Sequence, residues 1–263
     1  ERSDDMEIIE WKISPHIKAG TPLRYGGVSK GACSSLNLAL NVKDEIADVL
    51  ENRKILADYL GTTMDNMVSP TQTHSTNIQK VTAKDKGRGM YSLEDAIDNT
   101  DALYTREKNL YLLTYHADCI PILLYNPKEE LIAAIHAGWK GNVHEIVLKS
   151  LNYLAQYENC QPKDFYAYIG PSLSYDNFEA KQDIIDLVKK MSIDGSNYYT
   201  QTALDTYRLD AKGLAKAQLL AFGIPEANIT VDTHCTKGDS KHFFSYRNDH
   251  ACGRHASFIA MID

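Results

Sequence analysis

Residues 115–125, "YHADCIPILLY", and residues 133–142, "AAIHAGWKGN", decide how this chain reads. Each carries an apolar run of strand length that is broken at one end by polar groups: Asp118 and Cys119 in the first, His136 in the second. The turn-forming "NPKEE" at 126–130 lies between the two runs, so "IPILLY" and "LIAAIH" are expected to pair as a hairpin. Moving an unpaired polar group from water into an apolar core costs roughly 2–7 kcal/mol, and a charge costs more. The residues that break these strands are therefore paired, ligated or at work.

Working outward, "DALYT" (101–105) and "NLYLLTY" (109–115) read as short strands, and "MVSPTQTHSTNIQKVT" (67–82) reads as strand, polar turn and strand. "DEIADVLENRKILADYLG" (44–61) predicts a helix: Ile46, Val49, Leu50, Ile55, Leu56 and Leu60 fall at three-to-four spacing, and Gly61 is a stop. A second amphipathic helix is expected in "VHEIVLKSLNYLAQY", with others at 181–191 and 208–222. "DFYAYIGPSL" (164–173) is a strand ending in a Gly-Pro turn, and "ITVDTH" and "ASFIAMI" are late strands. This mixed order predicts one α+β domain over residues 1–263, its sheets covered by helices.

Composition narrows the function classes. The chain has 263 residues, 43% hydrophobic and 24% charged, with a formal net charge of −7. An acidic balance argues against general nucleic-acid binding, which rests on clustered cations. No apolar run reaches the roughly 18 residues of a membrane-spanning helix. The start, "ERSDDMEIIEW", lacks the charged-then-apolar pattern of a signal peptide, and residues 1–5 ahead of Met6 are expected to be a processing remnant. The five cysteines are widely spaced with no CxxC pair, which fits a reducing compartment and predicts a cytoplasmic protein.

Three side chains at strand ends are candidate metal ligands: His74 in "QTHS", Cys119 in "ADCIP" and His136 in "HAGWKG". Two imidazoles and a thiolate are zinc-type donors, and three protein ligands leave a fourth position open for water. Copper is a second possibility for this set. Each residue taken singly has an ordinary reading as a packed or hydrogen-bonded side chain. Asp118 is a candidate acid or base, or a second-sphere orienting group, against a turn-capping reading. His116 is expected to be exposed or hydrogen-bonded. "HAGWKGN" and "RYGGVSKG" (24–31) are glycine turns that offer anion cradles, with Lys140 in one and Arg24, Ser29 and Lys30 in the other. Phe243, Phe244 and Tyr246 are candidates to stack on a flat ring, and Arg247 is a candidate for a phosphate or carboxylate. The His and Cys residues around them read as a structural hairpin sooner than as a second metal cluster.

Taken together, "GGVSKG", "SLNLAL", "QTHS", "DALYT", "ADCIPILL", "HAGWKG", "IGPSL" and "FFSYR" occur in the order of one family. From about residue 22 to the C-terminus the chain resembles the laccase-domain, or peptidoglycan-editing-factor, family, also described as multicopper polyphenol oxidase-like and as zinc-dependent purine nucleoside phosphorylase. The resemblance implies a four-layer α/β/β/α sandwich with mixed sheets. It also implies a metal held by His74, Cys119 and His136, and catalysis by Cys119, Asp118 and His136. Arg24, Ser29, Asn37, Gln72, Lys140 and Arg247 are the expected substrate or phosphate contacts. The chain departs from the family pattern at Lys140 and Asn248, where arginine is usual, and at "NFEA" after the Gly-Pro turn.

The resemblance implies phosphorolysis of adenosine, inosine and methylthioadenosine, with adenosine deamination, by a monomer or small homo-oligomer that needs neither nucleic acid nor membrane. Two rivals stand beside it. One is a cysteine hydrolase or amidase acting on peptidoglycan precursors, with Cys119 as nucleophile and His136 or His74 as base. The other is a nucleoside- or metal-binding protein without catalysis. A copper-binding polyphenol oxidase is disfavoured, because blue multicopper sites require more His–Cys motifs than the chain holds.

Overall fold

A computed structural model describes residues 5–263 of the chain. Residues 1–4, most of the segment set apart ahead of Met6, lie outside the described residues. Strands β1 (Ile8–Glu10) and β2 (Ile17–Pro22) precede helix α1 (Ile46–Tyr59), and β3 (Met67–Val68), β4 (Ile78–Lys80), β5 (Ala102–Thr105) and β6 (Tyr111–His116) follow. β7 (Ile120–Asn126) and β8 (Leu131–Ala137) form the expected hairpin, with Pro121 opposite His136 and Asn126 opposite Leu131. Helices α2 (Trp139–Val143) and α3 (Ile146–Glu158) come next, then β9 (Tyr166–Ile169), β10 (Glu179–Ala180) and α4 (Gln182–Lys189). The order ends with β11 (Tyr199–Ala203), β12 (Thr206–Leu209), α5 (Ala211–Phe222), β13 (Ile229–Val231) and β14 (His255–Met261).

Two large mixed sheets result, ordered β1-β2-β14-β6-β3 and β13-β9-β7-β8-β5-β4, with a small third sheet β10-β12-β11. Side-chain alternation explains how they stack. Ile120, Ile122 and Leu124 of β7 join a core with Ile146 and Leu151 of α3 and Leu214 and Leu219 of α5. The alternate residues Leu123, Ile132 and Ala134 pack with Val68, Leu112 and Ile259 of the other large sheet. Leu113 and Phe258, on that sheet's outer face, pack with Leu36, Leu56 and Leu60 under α1. The layers are therefore helix, sheet, sheet and helix. Because both sheets are covered on both faces, their strands lack polar alternation.

Several local readings are corrected. Ile46 is 63% exposed, and the buried face of α1 includes Asn52 and Arg53. The Arg53 guanidinium replaces apolar packing with hydrogen bonds to the carbonyls of Leu38, Gly89 and Met90. The helix expected at 208–222 starts at Ala211, because Asp210 caps it by accepting from Gly213 N, and Arg208 and Leu209 belong to β12. Strands β3 and β4 lie in different sheets and do not pair with each other. The chain also changes sheets between β6 and β7, so residues 117–119 cross from one layer to the other, with Asp118 at φ +100°. This crossing and the end of β8 place the polar strand-breakers together at one edge of the sandwich.

Candidate active site

Asp101 organises this edge. It is buried at the start of β5, and its Oδ1 accepts from Thr73 N, Ser75 N and Ser75 Oγ at 3.1, 2.9 and 2.6 Å. Its Oδ2 accepts from His74 N at 3.1 Å and lies 2.8 Å from His136 Nδ1. One carboxylate therefore holds the loop that carries His74, at φ +60°, and aims the His136 ring. With Nδ1 so engaged, His136 leaves Nε2 for the site, beside Cys119. Burial alone would push the His136 imidazole pKa down, but the Cys119 and Asp101 charges and hydrogen bonds carry it above its ordinary value. Burial would raise Asp101, yet the hydrogen bonds from His136 and Ser75 hold it below the usual carboxylate range.

His74 and His136 meet edge to face, with ring centroids 5.1 Å apart. Gly138 shows how closely the third donor approaches. A Cβ built there would stand 2.7 Å from His74 Nδ1 and 3.2 Å from Cys119 Sγ. The space left by that missing carbon is bordered by an imidazole nitrogen and a thiol sulfur, beside the second imidazole. This donor set suits a soft divalent ion such as zinc. Among the described residues, no group of three His, Cys, Asp or Glu side chains is gathered tightly enough to hold an ion as it stands. The fit is thus one of donor chemistry and neighbourhood.

The three donors line a cavity of about 1080 Å³ together with Trp139, Tyr246 and Arg247. Asp118 also borders it, but its carboxylate is engaged: Oδ1 accepts from Thr236 Oγ1 and Ser245 Oγ, both at 2.7 Å, and Oδ2 from Arg247 N at 2.8 Å. Three donors make Asp118 an acceptor that anchors the C-terminal loop, in place of the expected proton donor. Gln72 lines the cavity while its amide bonds the Tyr115 backbone on both sides, at 2.8 and 2.7 Å. His116 is buried and hydrogen-bonded, with Nε2 2.6 Å from Ser257 Oγ.

Other expected contacts sit elsewhere. Ser29 is buried between Asp44 and Asn52, and Asn37 between Asp44 and the backbone of Ala39 and Arg254. Arg24 lies in a separate depression, bonded to the carbonyls of Ser34 and Ser240 with its guanidinium 4.4 Å over Phe244. "RYGGVSKG" is therefore a structural loop, and Gly27 is required because a Cβ would stand 2.4 Å from Ser35 O. Lys140 is exposed next to Trp139 on the five-residue helix α2 and is not among the residues that line the cavity. Phe243 and Phe244 are core residues packed on His255, whereas Tyr246 is exposed and stacked on His250 with centroids 4.3 Å apart. The reading of the C-terminal segment missed Arg254, and that of the chain missed Asp101, Arg208 and Lys237. Only Asp101 carried a signal, a lone carboxylate opening an apolar strand.

A four-layer sandwich with a Cys–His–His cluster at the edge of its paired sheets defines a class, and comparison places the chain in it. Residues 18–262 match the family described as multi-copper polyphenol oxidoreductase laccase, and the chain belongs to that family. It is 37% identical over 246 residues to "Purine nucleoside phosphorylase YlmD" of Bacillus subtilis (strain 168), covering 93% of this chain and 88% of that one. It is similar in structure to a Bacillus licheniformis hypothetical protein YfiH, with a TM-score of 0.96, 32% identity, and coverage of 99% and 98%. YlmD from Geobacillus stearothermophilus superposes with a TM-score of 0.90 at 32% identity over 95% and 93% of the two chains. Relatives described as purine nucleoside phosphorylases support an enzyme of that general kind. No helix among the described residues is long and apolar enough to cross a membrane.

Proposed function

We propose that the chain is a zinc-dependent purine nucleoside phosphorylase acting on adenosine, inosine and methylthioadenosine. The observation that carries the reading is the convergence of His74, Cys119 and His136 on one wall of a cavity large enough for a nucleoside and phosphate. The relatives described as phosphorylases supply the reaction class. In phosphorolysis, a phosphate oxygen bonds to the ribose anomeric carbon as the purine–ribose bond breaks and its electron pair leaves with the base. The chain's own part is to hold phosphate and ribose in line and to exclude competing water. Arg247, whose backbone N–H donates to Asp118, lines the cavity, which supports a role for it in holding the phosphate. Zinc, when held by His74, Cys119 and His136, supplies a Lewis acid and lowers the pKa of bound water, which also suits adenosine deamination. Copper is the alternative ion for the same donors.

A second reading draws on one specific observation. Asp101 orients His136, and the Cys119 thiol lies near enough to raise the His136 pKa, a grouping of acid, base and thiol that suits a cysteine nucleophile. It proposes amide or ester hydrolysis without metal.

The deciding test measures metal content after purification without added metal, and follows adenosine and inosine with and without phosphate by chromatography. Near one zinc per chain, with free base released only when phosphate is present and lost in Cys119→Ala, is the expected result. Inosine formed from adenosine without phosphate would establish the deaminase. Metal-free protein that turns over no nucleoside, with substrate-protected alkylation of Cys119, would replace the leading reading with the hydrolase.

A further inference from the structure

We infer that Arg208, Lys237, Arg247 and Arg254 form an anion subsite on the cavity wall that takes the phosphate co-substrate, an assignment that rests on the phosphorolysis reading. The four side chains come from separate segments, β12, the loop after β13, and the two sides of the turn that leads into β14, yet all line the same cavity. None takes part in an ion pair among the described residues. In a chain of net charge −7, four unpaired cations facing one cavity make a local field opposite to that of the whole molecule.

Two of the four are held ready. Arg247 lies with its guanidinium 4.5 Å over the Phe178 ring, and its Nη1 donates to Glu179 O at 2.8 Å. Arg254 sits 5.4 Å over Tyr246, with Nη1 donating to Cys252 O and Gly253 O at 2.7 and 3.0 Å. Each fork is thus oriented by carbonyls and an aromatic face while further N–H donors remain uncommitted, the condition for bidentate capture of a phosphate. Arg208 and Lys237 make no side-chain hydrogen bond among the described residues. The carboxylates on the same cavity offset part of this charge without removing it. Asp118 keeps its charge but has its oxygens turned to Thr236, Ser245 and the Arg247 backbone, Glu179 pairs with Lys181 at 3.3 Å, and Asp176 is exposed. The "RYGGVSKG" turn does not compete for phosphate, since Ser29 is committed and Arg24 faces another depression.

The test is calorimetric titration of inorganic phosphate into the wild-type chain, Arg208→Ala/Lys237→Ala, Arg254→Ala and Lys140→Ala, paired with the phosphate KM of inosine phosphorolysis. Thermal melts confirm that each variant folds, and Arg254→Lys controls for lost packing. The subsite predicts at least about tenfold weaker phosphate binding and a matching rise in phosphate KM in the double variant and in Arg254→Ala, with inosine KM little changed. Lys140→Ala should leave phosphate binding intact. Unchanged phosphate affinity and KM in both sets, or loss confined to Lys140→Ala, would overturn the assignment while leaving phosphorolysis standing. A wild-type chain that shows neither phosphate binding nor a phosphate-dependent rate also overturns it. Phosphate binding that needs this wall, in a protein that splits no nucleoside, would keep the subsite and remove the phosphorylase reading.

Discussion

His136 Nδ1 lies 2.8 Å from Asp101 Oδ2, and the same carboxylate also accepts from the backbone N–H groups of Thr73, His74 and Ser75. The acid couples two elements that share no local sequence, the His74 loop and the end of β8. Asp101→Asn tests this coupling, because an amide has one acceptor oxygen and must turn its NH₂ toward existing donors. The expected outcome is a loss of roughly 10–100-fold in zinc affinity and on the order of 2 kcal/mol in stability. Competition titration with a zinc chelator and urea unfolding measure the two. An unchanged zinc affinity would show that the carboxylate supports only the loop.

Gly138→Ala should separate the site from the fold. The added methyl would stand 2.7 Å from His74 Nδ1 and 2.9 Å from His74 Cε1. His74 is on an exposed loop, so the clash is relieved by moving the ligand away from Cys119 and not by disrupting the core. Metal binding and turnover are expected to drop at least about tenfold, with stability changed by less than about 1 kcal/mol. A variant with full metal affinity would mean that the space at Gly138 has no role in bringing the donors together.

Acid should destabilise the protein through His255 and His116. His255 Nδ1 lies 3.0 Å from Pro22 O, and its Nε2 receives Phe244 N–H at 2.8 Å, so both nitrogens are satisfied in the neutral ring. Burial pushes its pKa down to about 4, and His116 is lowered in the same way. An unfolded histidine binds a proton below about pH 6.5, whereas the folded one refuses it until about pH 4. The unfolded state therefore holds more protons in that window, and stability falls as pH drops through it, by on the order of 3 kcal/mol for His255. Urea midpoints measured from pH 7.5 to 4.5 check the slope. A flat profile would refute it.

Arg53 makes a stability prediction independent of the site. Its guanidinium is 2% exposed and serves three carbonyls on two loops, at 2.9, 2.8 and 2.7 Å. Arg53→Met keeps the length of the side chain but leaves those acceptors buried without donors. A loss of roughly 3–5 kcal/mol is expected from chemical denaturation. A loss below about 1 kcal/mol would show that water replaces the guanidinium.

The sequence alone determined the elements whose signal is local. The β7–β8 hairpin was legible because two apolar runs flank a turn, and His74, Cys119 and His136 stood out because they interrupt such runs. Whether Ser29 and Asn37 face solvent or core is not a local property, since their neighbours Asp44 and Asn52 reach them only through the packing of α1 and its preceding loop. Asp118 likewise read equally as an acid or base, an orienting group or a turn cap, and its partners Thr236, Ser245 and Arg247 come to it from a segment more than a hundred residues away. Only the tertiary structure decided that Asp101 orients His136, and that four cations from distant segments face one cavity. Hydrophobic periodicity is a one-dimensional pattern, whereas hydrogen bonding and electrostatic fields depend on distances that exist only after the two sheets have packed.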